Sequence, residues 1–137
     1  MSDNKIIEIT PKNLLERFKI YNKKYFDDLL PKPKKFIIGD YDFIAGTFCR
    51  NEKGNKHEIK GNIWVSNKFN FTEEFLEYTL VHEMVHMYVQ MKLGRKPFFE
   101  HPRSFKRKIK ELNETYGLEL DVKCPKEKYF KYKKPQD

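Results

Sequence analysis

Apolar and polar positions follow two rhythms along this chain, one helical and one alternating. Leu14, Phe18, Tyr21, Tyr25 and Leu29 recur at helical spacing behind Thr10-Pro11, a hydroxyl cap with proline at the first helical position. "LPKPKK" ends that helix, because Pro31 and Pro33 disfavour its continuation. "KFIIGD" and "FIAGTFC" then read as two short strands joined by a turn at Gly39-Asp40, and "RNEKGNKH" as a polar hairpin tip. "EIKGNIWVS" alternates, with Ile59, Gly61, Ile63 and Val65 on one side and Lys60, Asn62, Trp64 and Ser66 on the other. It is expected to run antiparallel to the strand before it.

The helical rhythm returns at Thr72, a hydroxyl cap followed by Glu73 and Glu74 at the positive end of the helix dipole. This helix is predicted to run to Leu93, with Gly94 just past its end. Phe75, Leu76, Leu80, Met84, Val85 and Val89 cover most of its circumference, which marks a central, buried helix. "GRKPFFE" is a loop. A last helix starts at Pro102, carries Phe105, Ile109, Leu112 and Tyr116 on one face and stops at Gly117. Beyond it lies at most a short strand near Leu118–Val122 and then an aperiodic basic segment. The expected class is α+β, in two parts: a domain over residues 1–122 and a basic aromatic tail over 123–137.

Inside the buried helix stand His82, Glu83 and His86, in "TLVHEMVHMYV". Residues four apart share a helix face, so the two imidazoles can grip one Zn²⁺ ion. Glu83 adjoins the first of them and can take the proton of a water that the metal activates, the HExxH arrangement of zinc peptidases. Two imidazoles and a carboxylate buried without partners would be costly, and a metal supplies the partner. A catalytic zinc needs a third protein ligand. The spacing HExxHxxGxxH is absent, since Gln90, Met91 and Lys92 follow where its glycine and third histidine would be sought. His101 is the favoured third ligand, with Glu100 beside it and His57 on the hairpin tip as alternatives.

Composition refines this picture. A chain of 137 residues suits one domain, and 12 Phe with 8 Tyr foretell an aromatic core. The apolar runs fall short of a membrane span, and the N-terminus lacks the pattern of a signal peptide. Cys49 and Cys124 are too few for a disulfide framework and suit a reducing cytoplasm, where a monomer is expected. The formal charge is +8, yet residues 1–90 nearly balance at 14 Lys and Arg against 13 Asp and Glu, whereas residues 91–137 carry 14 against 7. Such a basic third suits a polyanion, most often nucleic acid, or else a solvated surface. Lys126, Lys128, Lys131 and Lys133 interleave with Tyr129 and Tyr132, a composition suited to single-stranded DNA through phosphate contacts and base stacking. Arg103, Lys106, Arg107 and Lys110 on the last helix extend the same charge.

Taken with "YNKKYFDDLLPKP", "AGTFC", "NIWVSNKF" and "HPRSF", the histidine helix makes residues 12–122 similar to the SprT-like zinc metallopeptidases, the Spartan-related family. The resemblance implies a zincin-like layout: an N-terminal helix, a small, mostly antiparallel sheet, a central HExxH helix and a C-terminal helix. It implies His82, His86 and His101 as ligands of one catalytic zinc and Glu83 as acid/base, with a protein substrate pairing along an edge strand, for which "EIKGNIWVS" is the expected segment. Trp64 would then belong either to the cleft wall or to the core. Pro102 stands where the family usually has glycine, and the cysteine-rich zinc ribbon of longer members is missing. Three functions follow as expectations: an endopeptidase acting on DNA-bound or DNA-crosslinked proteins, a DNA-independent protease of a regulatory protein, or a nucleic-acid-binding module with a structural metal.

Overall fold

The Thr10 hydroxyl accepts the Asn13 N–H at 3.1 Å, and Pro11 opens the first helix, α1 (Pro11–Phe26). The computed structural model describes residues 5–50, 61–94 and 97–135. Leu14, Phe18, Tyr21 and Tyr25 are buried as their spacing predicts, but Leu29 is not part of the helix. Asp27 and Asp28 take positive φ of 53° and 58°, the chain turns, and Leu30 enters the core in place of Leu29. Asn22 holds this turn, donating to the Leu30 carbonyl at 2.9 Å and accepting the Leu30 N–H at 3.1 Å.

The same device recurs at the end of α3 (Arg103–Tyr116), where Gly117 provides the left-handed cap and Asn113 makes the equivalent pair of bonds to Leu120 at 2.9 and 2.8 Å. Asn113→Ala strands both backbone groups of the buried Leu120, so urea unfolding is expected to show a loss of about 1–3 kcal/mol. A loss below about 0.5 kcal/mol would mean that water replaces the side chain there.

The strands are β1 (Lys35–Gly39), β2 (Gly46–Arg50) and β3 (Gly61–Ser66), in the order β1-β3-β2. β2 and β3 are antiparallel as expected, but β1 runs parallel to β3, so the sheet is mixed rather than mostly antiparallel. Nor do β1 and β2 pair with each other as a hairpin. β3, expected at the edge, is the central strand. Its Ile63 and Val65 are fully buried, and a central position satisfies both its backbone edges at once. Ser66 fastens the β1–β2 link, donating its N–H to the Ala45 carbonyl and its hydroxyl to the Tyr41 carbonyl, while the same hydroxyl accepts the Lys68 N–H at 3.1 Å. The hairpin tip falls in residues 51–60, outside the described residues.

α2 (Glu73–Leu93) is capped by Thr72, whose hydroxyl accepts the Phe75 N–H at 3.1 Å, and ends at Gly94 with φ 70°, both as predicted. It packs against β2, α3 and α1, which explains why apolar residues surround it. No strand forms over residues 118–122; that segment runs irregularly to a further helix, α4 (Lys126–Tyr132), which the pattern did not predict. α4 packs through its aromatic residues: Tyr132 stacks on Phe75 with centroids 4.0 Å apart, and Tyr129 meets Phe69 edge-on at 5.2 Å. Backbone bonds from Asn70 to Tyr132 and from Lys134 to Lys68 fasten its end. No described helix is long and apolar enough to cross a membrane.

Candidate metal centre

His82 and His86, one turn apart on α2, hold their ring centroids 5.0 Å from each other. His101 arrives just ahead of α3, its ring 5.5 Å from His82 and 5.1 Å from His86. A nitrogen from each of the three lies within 4.8 Å of the others. Glu100 faces the same cleft but stands outside this group, and His57 falls outside the described residues.

Phe105, fully buried on α3, backs all three imidazoles at centroid distances of 5.1, 4.4 and 4.7 Å. The site therefore has an apolar floor that fixes the rings. His101 Nε2 is buried with no hydrogen-bond partner, so a polar atom of this group lacks the partner that a cation would supply. Burial, helped by the neighbouring histidines, lowers His82 to about 4 and His86 to about 3, and burial lowers His101 as well. All three rings are thus neutral at pH 7, the state in which imidazole ligates a metal, and three nitrogen donors suit zinc. The residues fit the group that the sequence pattern implies.

The His82 ring also has a backbone anchor, a hydrogen bond to the carbonyl of Asp121. The Asp121 carboxylate in turn accepts the Tyr78 hydroxyl at 2.8 Å. Nothing in the sequence signalled this support, because a carbonyl carries no residue signature and the segment resembled a strand. Glu83, 5% exposed, lies between α2 and β2. Burial, with the charge of Glu100, pushes its carboxyl up to about 8, while a backbone hydrogen bond from Phe48 opposes the shift.

These groups set the pH response of the metal-free protein. The folded His82 and His86 refuse protons that the unfolded chain accepts near 6.5, so stability falls as pH drops from about 6.5 towards 4 for His82 and towards 3 for His86. Glu83 acts in the opposite sense: its raised value favours the fold at low pH, and that contribution is lost as pH rises through about 8. Thermal melts of metal-free protein across this range should lose part of their acid slope in His86→Gln. An unchanged slope would mean that the histidines are hydrated.

Gly46 permits the close approach of β2 to α2. A Cβ there would lie 2.9 Å from the Thr79 methyl and 3.1 Å from the Trp64 carbonyl. Gly46→Ala is expected to push the strand off the helix beside Glu83 and to destabilise by about 1–3 kcal/mol in chemical unfolding. Wild-type stability would show that the strand yields freely.

The histidines and Glu83 line a cleft of about 610 Å³. One wall is the β1–β2 link and the start of β2, with Phe43 and Ile44 exposed at the rim. Residues 123–129 supply another wall, through Lys123, Cys124, Lys126 and Tyr129. Trp64 packs against Tyr41 instead and is not among the lining residues. Of the basic aromatic segment, Lys128 sits over the Tyr78 ring at 3.8 Å and near Asp121, Lys133 contacts Asp42, and Lys131 is exposed. The Tyr129 and Tyr132 rings are engaged within the fold, whereas Phe130 is 70% exposed. Arg103, Lys106 and Arg107 are exposed on α3, as is Lys110, 3.9 Å from Glu114.

Compared with known proteins, residues 14–124 match the SprT-like family model. No curated protein matches the chain.

Proposed function

Because the chain belongs to the SprT-like family, whose members are metallopeptidase-like, we propose that it is a zinc-dependent endopeptidase with a zincin-like active site. The observation that carries this reading is the three-histidine group beside a buried carboxylate: nitrogens within 4.8 Å of one another, and Glu83 next in sequence to the first. His82, His86 and His101 would hold the zinc, which supplies Lewis acidity and lowers the pKa of water. Glu83 takes a proton as the peptide carbonyl is attacked and returns it to the leaving amine. In the metal-free protein burial and the charge of Glu100 raise its proton affinity, and a cation held by the histidines would lower it again towards the range that proton transfer at pH 7 requires. β2 has no strand on its outer edge among the described residues, which suits it to pair with an extended polypeptide.

We extend the reading to proteins held on DNA. The charge of residues 91–137, the exposed cations of α3, and the exposed Lys131 and Phe130 of α4 support a polyanion partner, with single strands favoured. A DNA-independent protease of a regulatory protein is the second reading, favoured by Tyr129 and Tyr132, whose rings pack inside the fold rather than standing free for bases. A module with a structural metal fits less well, since it has no use for Glu83.

Elemental mass spectrometry of the purified protein is the test. One zinc per chain, lost on His101→Ala, supports the site; protein that stays empty when zinc is supplied overturns it. Proteolysis that rises with single-stranded DNA and falls with salt favours the first reading, and indifference to DNA favours the second.

A further inference from the structure

Two cations in the cleft have no part in that chemistry. Lys123 and Lys126 line its wall, and among the described residues neither has an ion-pair partner. Their neighbours differ: Lys128 lies 3.7 Å from Asp121 and Lys133 lies 3.5 Å from Asp42. Lys123 is also close enough to His101 for its charge to be felt there. At this end the two cleft walls are joined, because Tyr129 and Lys133 both donate to the Asp42 carbonyl, next to Phe43 and Ile44. Both lysines are exposed, and the lining of the same cleft includes Phe69 and Phe75, so their charge belongs to a concave, partly apolar surface that focuses it.

Resting on the peptidase reading, we propose that Lys123 and Lys126 form a carboxylate-binding subsite, so that the enzyme selects polypeptides presenting an acidic group to this wall of the cleft. The group can be an Asp or Glu side chain or a C-terminal carboxylate, since both offer the same anion to the same ammonium groups. Glu100 lines the cleft as well and repels that charge. The preference is therefore positional: an acidic group is favoured at the lysine wall and disfavoured beside Glu100. A nucleic-acid strand would instead need cations ranged along an open surface, as on α3.

The test uses a panel of otherwise identical fluorogenic peptides carrying Glu, Ala or Lys at each position around the scissile bond, each with a free or an amidated C-terminus. Binding to zinc-loaded Glu83→Gln protein is read in parallel by fluorescence anisotropy, so that the subsite is measured without turnover. Glu at one position should improve binding and kcat/KM over Ala by about fivefold, the scale of a partly exposed ion pair. The Glu-to-Ala ratio should collapse in the Lys123→Ala/Lys126→Ala double variant, and Lys126→Glu should turn it towards Lys. A gain that vanishes on amidation assigns the anion to the C-terminus; one that persists assigns it to a side chain. Equal binding of Glu and Ala peptides, or displacement of every peptide alike by a single-stranded oligonucleotide, would overturn the subsite. Acid-selective binding with no peptide cleaved by the wild type would keep the subsite and reject the peptidase.

Discussion

Glu83→Gln is expected to leave zinc uptake intact while lowering peptide hydrolysis by about 10²–10⁴-fold, the usual contribution of a positioned acid/base. Glutamine has the shape of glutamate, and its amide oxygen can still accept the backbone N–H of Phe48. It cannot accept a proton at neutral pH. The substitution therefore removes one chemical capacity from a site whose packing is otherwise unchanged. It also removes a carboxyl that is buried against its ionised state, so the melting temperature at pH 8 should equal or exceed that of the wild type. Zinc content, thermal melting and hydrolysis measured on one preparation separate these effects. Activity within about tenfold of wild type, with zinc retained, would remove Glu83 from the mechanism.

Phe105→Ala should have the largest effect on the fold. The ring is fully buried and touches all three imidazoles, so its loss opens a cavity under the histidine group. The expected loss is about 3–5 kcal/mol, or roughly 10–20 °C in Tm for a domain of this size. Zinc affinity should fall with it, because His101 lies just before α3 and loses the surface that orients it. Excess zinc should restore part of the lost stability by mass action, and Phe105→Leu should restore more by filling the space. A fall of less than about 3 °C would show that the floor collapses without strain.

What could be read from the chain in advance was local. Thr10-Pro11 and Thr72-Glu73-Glu74 announced their helices because a cap acts over three or four residues, and Gly94 and Gly117 ended theirs for the same reason. The two histidines of α2 were legible as a pair because helical geometry converts a spacing of four into adjacency. Leu29 failed because the helical period continued past a turn made by two aspartates in the left-handed region, which tertiary bonds from Asn22 maintain. The Asp121 carbonyl behind His82 left no trace, since backbone groups are common to every residue.

Identity and spacing thus sufficed for the α+β composition, the main helices and the two histidines of the candidate metal centre that lie on one helix. Strand order did not follow, because alternation says which faces a strand buries but not which neighbours it takes. β3 became central when Ile63 and Val65 were enclosed between the other two strands and the helices. His101 was one candidate among three until α3 packed on α2 and brought its ring to the pair. Residues 123–134 had no period of their own; they hold helix and cleft wall through Tyr129 on Phe69 and Tyr132 on Phe75, contacts to residues more than fifty positions away. Such pairings depend on the loop-closure entropy and packing of the whole chain, to which no short stretch of sequence has access.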